Sequence, residues 1–279
     1  MSANKPVVVL VLLTCVSLLG ITNAWAGNGT DIGTPDPCAG SGSLLALLDR
    51  PTVGDSACVV KAGMAVVEAG WARYSLYGQS GHAYGFPQLE LRFGLPDENE
   101  LVLLPPNINR QITPAGSLTG ASASVVGLKH EFGYTSHWIF AGETLITLPS
   151  GSPDFGSPAT GYAINGVIGY SPTPTIGYSL MLGVTHLAAP ANFQHGAYYW
   201  SLNPDLVMTW LAASRLQFYG EIYGQTHTAP AQGQGYNADG GLQYLVTQNF
   251  EVDAELGRRL TGNLAGWSSY YGIGFGLQF

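Results

Sequence analysis

The chain has 279 residues, of which only 10% are Asp, Glu, Lys or Arg, against the quarter usual in soluble domains, and its 38 glycines are about twice the ordinary share. Hydrophobic residues reach 46%, aromatics 11%, and the net charge is −8. This excludes disorder, which needs low hydrophobicity and high charge. It also argues against a nucleic-acid binder, which needs a basic face, and, with one long apolar run only, against a multi-span helical membrane protein.

That run is N-terminal. Lys5 precedes an uncharged, mostly apolar stretch from Pro6 to Ile21, and Ala24-Trp25-Ala26 offers a small-x-small cleavage pattern. The arrangement predicts a secretory signal peptide over residues 1–26, with an apolar core short for a spanning helix. Cleavage there removes one base and no acid, leaving 253 residues with a net charge of −9. Two cysteines remain, Cys38 and Cys58, and an oxidising compartment should pair them. Closing that loop would contribute roughly 3 kcal/mol.

Residues 27–58 lack strand alternation and are rich in Gly, Pro, Asp and Ser. One apolar patch, Leu44 to Leu48, suits a short helix capped by Ser41 or Ser43. The segment reads as a disulfide-closed preface, periplasmic or lumenal, to a domain over 59–279.

Beyond it the pattern changes to a period of two, the mark of a half-buried strand. Leu89, Leu91, Phe93 and Leu95 alternate with Gln88, Glu90, Arg92 and Gly94. The same alternation recurs over 162–170, 176–185, 198–210, 216–225, 236–246, 250–256 and 271–279. Less regular strands near 59–76, 99–105, 121–134 and 137–148 bring the expected number to about twelve. Pro204, inside a good strand, lacks a ladder donor and is a mild objection.

The connections alternate in length. Short ones fall at Pro96–Glu98, Thr135–Ser136, Ser171–Thr175, Leu211–Ser214 and Thr247–Asn249. Longer ones include Pro106–Gly120, Pro149–Ala159 and Thr261–Trp267. Short periplasmic turns and longer outer loops are the rule of a transmembrane β-barrel. The competing architecture is a soluble sandwich or barrel, whose apolar face would point inward. The aromatic load on the apolar faces favours the membrane. A tilted strand from Tyr198 to Trp210 rises roughly 30 Å, enough for an apolar band of about 25 Å edged by aromatics. The expected fold class is therefore all-β: a transmembrane antiparallel barrel of about 12 strands.

The last strand, Tyr271-Gly-Ile-Gly-Phe-Gly-Leu-Gln-Phe279, resembles the C-terminal signal of bacterial outer-membrane proteins. That resemblance implies the barrel assembly machinery as a partner, together with outer-membrane lipid. Over roughly 59–279 the segments Gln88–Pro96, Gly127–Gly133, Thr147–Gly151 and Gly166–Tyr170 are similar to the bacterial MetA-pathway of phenol degradation family. Membership implies an outer-membrane barrel that admits aromatic or other hydrophobic compounds. It transfers no catalytic or ligand residue.

Barrel enzymes that hydrolyse lipids carry a His-x-Ser pair on one strand face, so that base and nucleophile meet. The sequence contains no such pair. His130 falls on the apolar face near a short turn, where an interfacial histidine is the plainer reading. Asp154 and several histidines lie in long loops, with nothing to set their mutual distances. His186, His195 and His227 fall near the outer strand ends and could approach one another, but read as unrelated loop residues. No catalytic residue, metal, cofactor or nucleic-acid partner is expected.

The opposite faces carry the charge. Glu90, Arg92, Lys129, Glu131, Glu143, Glu221, Asp239, Glu251, Asp253, Glu255 and Arg259 are candidate lumen-lining residues, with Tyr199, Tyr219 and Tyr223 as an amphipathic wall. Lys129 and Glu131 lie within reach of Glu143 on a neighbouring strand. Acids outnumber bases eight to three in this set. The charges either fill a narrow barrel as ion pairs or line a pore that prefers cations. Gly272, Gly274 and Gly276 leave one inner wall bare. That leaves room for a solute or for the preface as a plug, unless the glycines only relieve strain in a bent sheet. The expected function is passive passage of small solutes. The alternative is a structural or surface-interaction barrel with a filled lumen.

Overall fold

The computed structural model describes residues 36–40 and 42–279; the expected signal peptide, residues 27–35 and Ser41 lie outside the described residues. One short helix, α1 (Ser43–Leu47), precedes fifteen strand segments. Its N-cap is Gly42, without a side-chain cap. Ser43 is already inside the first turn and cannot cap it.

The segments are β1 (Ala65–Leu76), β2 (His82–Phe86), β3 (Glu90–Leu95), β4 (Asn99–Leu104), β5 (Ile108–Thr113), β6 (Gly116–Ala121), β7 (Val125–Tyr134) and β8 (Trp138–Thr147). They continue as β9 (Gly161–Thr173), β10 (Ile176–Ala188), β11 (Tyr198–Ala213), β12 (Leu216–Gln225), β13 (Gly235–Thr247), β14 (Phe250–Thr261) and β15 (Trp267–Gln278). Neighbours pair antiparallel, and β15 returns to pair with β1 from Val66↔Gln278 to Leu76↔Trp267, closing the barrel. The closed ring is β1, β3, β4 and β7 to β15, twelve strands.

Three strands are broken in two, giving the pairs β2 and β3, β4 and β5, and β6 and β7. β1 pairs with β3 through Ala65–Glu68 and with β2 through Ala72–Ser75, so β2 and β3 are two halves of one strand. The break is Pro87, which has no N–H; its carbonyl still accepts from Gly70 at 2.6 Å. Pro105 and Pro106 divide β4 from β5 in the same way. β2, β5 and β6 then form a three-stranded extension at the outer end of β1. The expected long loop Pro106–Gly120 is therefore a hairpin with Pro114 and Ala115 at its turn. In β5 the apolar face of Ile108 and Ile112 is interrupted by Arg110, and in β6 Leu118 is the one large apolar residue, so the period of two is too weak to read there. The first strand begins at Ala65, not near 59; Val59 and Val60 belong to the segment inside the barrel. Pro204 pairs with Leu182 of β10 and lies just beyond the β11–β12 ladder, which stops at Asp205, so no partner misses its donor.

The two faces are inverted relative to a soluble protein. Ile164, Leu182, Trp200, Leu206, Trp210 and Leu256 are exposed, while Glu68, Arg92, Glu100, Lys129 and Glu251 are fully buried. An apolar exterior around a polar interior is stable only with lipid outside, which makes the chain an outer-membrane barrel rather than a soluble one. The inner core is built by the N-terminal segment. Leu44, Leu45, Leu47 and Leu48 pack on Val66, Ile139, Val167 and Leu245 from β1, β8, β9 and β13.

Candidate functional site

After α1 the chain turns across the lumen and returns to Cys58, which is disulfide-bonded to Cys38. Strands all around the ring hold this loop. Arg92 of β3 is its first anchor. Its Nε lies 2.6 Å from Glu100, and its Nη1 lies 3.1 Å from Asp49 and 3.2 Å from Glu68. The same guanidinium donates to the carbonyls of Leu47 at 2.6 Å and Cys58 at 3.1 Å, tying both limbs of the loop to one side chain. Lys129 Nζ adds a contact to Asp49 at 3.3 Å. Glu68 accepts the backbone N–H groups of Asp49 and Arg50, and Glu100 accepts that of Val60.

The second anchor is Arg50. It pairs with Asp253 at 3.0 Å and Glu255 at 3.5 Å, and donates to Gln88 at 3.2 Å. Its guanidinium occupies space that side chains would otherwise fill. A Cβ at Gly70 would meet Arg50 Cζ at 2.5 Å, and one at Gly274 would meet its Nε at 2.4 Å. A Cβ at Gly276 would meet Leu48 at 2.4 Å. Gly272 instead makes room for the side chain of Glu255. The bare wall thus receives the loop, and strain relief is not needed to explain it. The third anchor is Glu221, which accepts the N–H groups of Val53 at 2.9 Å and Gly54 at 2.7 Å. Gln243 donates to the Arg50 carbonyl at 2.9 Å and Asn165 to Asp55 at 3.2 Å.

The residues singled out from sequence face inward and divide by partner. Arg92, Lys129, Glu221, Asp253 and Glu255 bind the loop. The Tyr219 hydroxyl points at the Pro51 carbonyl, 3.5 Å away. Glu90 gathers with Asp49 and Glu68, their carboxylate oxygens within 4.8 Å of one another beside Arg92. Glu143 accepts from Asn165 at 3.0 Å. Lys129 and Glu143 are register partners, but the amine turns to Asp49 rather than to the acid. Glu131 is buried near a short turn, and both oxygens of Glu251 are buried without a partner. Asp239 accepts the Tyr270 hydroxyl at 2.6 Å. Arg259 sits at the outer rim, 3.8 Å over the Tyr77 ring, and Tyr199 is half-buried. Of the histidines, His130 packs edge-on to Phe132 at 5.0 Å and His186 stacks on Trp200 at 4.4 Å.

Sequence reading missed Asp49, Arg50, Glu68, Tyr74, Glu100 and Tyr270. Glu68 and Glu100 lie on strands whose irregular alternation hid their inward face. Tyr270 precedes Tyr271, where the clean terminal alternation begins. Nothing local distinguishes Arg50 from any other loop arginine.

Among the described residues the loop leaves a cavity toward each end of the barrel. One of about 670 Å³ opens at the short-turn end, between the loop and the ends of β8 to β13, with Ile139, Tyr170, Tyr178 and Leu211 on its walls. Another of about 470 Å³ opens at the long-loop end, lined by Tyr74, Tyr223, Trp267 and Tyr270 with Asp205, Glu255 and Arg50. Arg50 and Thr52 border both.

The family described as "Putative MetA-pathway of phenol degradation" matches residues 48–276, most of the chain and part of the lumenal loop. The chain belongs to this family. Among solved structures it is similar to an outer membrane channel from Pseudomonas putida F1, at 11% identity and a TM-score of 0.62, covering 83% of this chain and 100% of that one. The NanC porin follows at 13% identity and a TM-score of 0.53, covering 76% and 98%. The KdgM porin in complex with disordered oligogalacturonate is 11% identical with a TM-score of 0.51, covering 77% and 99%. At these identities the likeness is one of fold, the closed barrel. No curated protein matches the chain.

Proposed function

We propose that the chain is a non-enzymatic outer-membrane channel for small solutes, held closed by its own residues 44–60. The observation that carries this reading is the pair of cavities, one at each end, with the Arg50 turn as the wall between them. A barrel that served only as a scaffold would need no vestibules. The aromatic walls of the outer cavity suit an apolar or aromatic solute, the class that the family's description also suggests. Among the described residues its one cation, Arg50, is already paired with Asp253 and Glu255, which leaves no free positive group for an anion. A polyanion such as the oligogalacturonate bound by the KdgM porin is therefore not the solute inferred here.

With the loop docked, Arg50 neutralises Asp253 and Glu255. The acid surplus then acts only when the loop leaves, and the open state prefers cations. The second reading, a permanently filled barrel, draws support from Arg92, which is fully buried and bonded to both limbs of the loop.

Single-channel recording separates the two. The mature protein, and an Arg50→Gln variant, would be refolded in detergent and inserted in a planar bilayer. Discrete, cation-preferring steps that become more frequent in the variant are expected. Silence from both folded barrels would favour the filled-lumen reading.

A further inference from the structure

The outward faces of the strands carry three charged side chains, Arg73 on β1, Arg110 on β5 and Arg258 on β14. No Asp, Glu or Lys shares those faces among the described residues; the strand acids and Lys129 point inward. The three arginines are neighbours. Arg73 faces Tyr271 of β15 on one side and Tyr84 of β2 on the other, and Tyr84 faces Arg110. Arg258 faces Ser269, which faces Ser75, the next outward position after Arg73. They fall within one run of adjacent strands, β14–β15–β1–β2–β5. Two strand spacings separate Arg73 from each of the others, roughly 10 Å across the sheet.

All three lie toward the long-loop end. Trp71, one outward step below Arg73, packs on Tyr84 at 5.8 Å and Tyr271 at 5.9 Å. Such an aromatic girdle marks the edge of the apolar band, where a lipid-facing charge costs least. Near the long-loop ends of β10 and β11 the outward residues are the uncharged aromatics Tyr198 and Trp200 with His186. The positive charge is therefore confined to one sector.

Three positive charges in one sector, with no acid on their face, make a local field that attracts an anion from outside the protein. The outer leaflet supplies one as phosphorylated glycolipid. A guanidinium fork matches phosphate oxygens, and its long stem lets it reach up from the apolar edge to the headgroup. The acyl chains below would lie on Trp71, Tyr271 and Ile273. We propose that Arg73, Arg110 and Arg258 form a binding site for the phosphorylated headgroup of the outer-leaflet glycolipid. The site lies on the outer wall and does not depend on whether the lumen conducts.

The test uses mature protein refolded in detergent free of glycolipid, with native mass spectrometry counting bound lipid. The probes are lipid A bearing both phosphates, lipid A stripped of both, and inorganic phosphate. Diphosphorylated lipid A is expected to bind one per barrel, at least tenfold tighter than the stripped form. An R73Q/R110Q/R258Q variant should lose that difference, whereas Arg215→Gln, in a short turn at the opposite end, should keep it. Should the triple variant fail to fold, each single variant should weaken binding about two- to threefold. Equal binding of the stripped lipid, or unchanged binding by the variants, would overturn the site. Displacement of the lipid by millimolar phosphate would assign the patch to a free anion instead.

Discussion

The Arg50 guanidinium grips the Asp253 carboxylate with two bonds, Nη2 to Oδ1 at 3.0 Å and Nε to Oδ2 at 3.3 Å, across 203 residues of chain. Asp253 is fully buried at its side chain and Arg50 nearly so. Removing one partner of a buried pair strands the other, at about 3–5 kcal/mol. Arg50→Gln and Asp253→Asn should each loosen the docked loop by an energy of that order. Both variants should then pass current under conditions where the parent is closed. Equal silence from all three would show that this pair does not hold the loop.

Charge selectivity should follow the same residues. In the Arg50→Gln background, neutralising Glu251, Asp253 and Glu255 together should reduce cation preference, read as a shift in reversal potential across a salt gradient. An unchanged potential would remove these three from the conduction path.

The glycines of the receiving wall provide a steric test. A Cβ at Gly274 would lie 2.4 Å from Arg50 Nε, so Gly274→Val should push the guanidinium off Asp253 and raise open probability. Gly166 faces lipid with nothing within 4 Å of an added Cβ, and Gly166→Val should leave gating unchanged. If the two behaved alike, the close fit at Gly274 would carry no consequence.

Arg92 should matter for stability more than for selectivity. Replacing it with Met leaves Glu68, Glu100 and Asp49 without their main counter-ion, and two loop carbonyls without a donor. A loss of about 3–5 kcal/mol is expected, read as a lower urea midpoint in a heat-modifiability assay. A midpoint equal to that of the parent would mean that the loop is not anchored there.

Phe279 separates assembly from folding. Its backbone pairs with Ala65, N–H to carbonyl at 2.9 Å, while the residue is 64% exposed. Phe279→Ala therefore removes little buried area. Refolding in detergent should be unchanged, while the folded yield in the outer membrane falls several-fold. A normal yield in cells would argue against recognition of the terminal strand by the assembly machinery.

The barrel was legible because its signal is local. Each of the regular strands repeats every two residues, and lipid outside with charge inside makes the two faces chemically opposite. The alternation of turn lengths then gave the orientation, and the inward positions of Glu143, Glu221 and Asp239 followed from parity alone. The signal failed where that contrast fails. In β5 Arg110 stands between Ile108 and Ile112 on the outward face, and in β6 Leu118 is the one large apolar residue, so both read as loop.

The sequence by itself determined the closed barrel, its outer and inner faces, and the pair of cysteines available to close the preface. Only the tertiary structure decided where that preface goes. Its anchors join residues far apart in the chain, Val53 to Glu221 across 168 positions and Arg50 to Asp253 across 203. No periodicity encodes such a contact. It arises because three-dimensional closure brings inward polar side chains of eight strands around one loop, and because Gly70, Gly274 and Gly276 leave the space into which that loop fits.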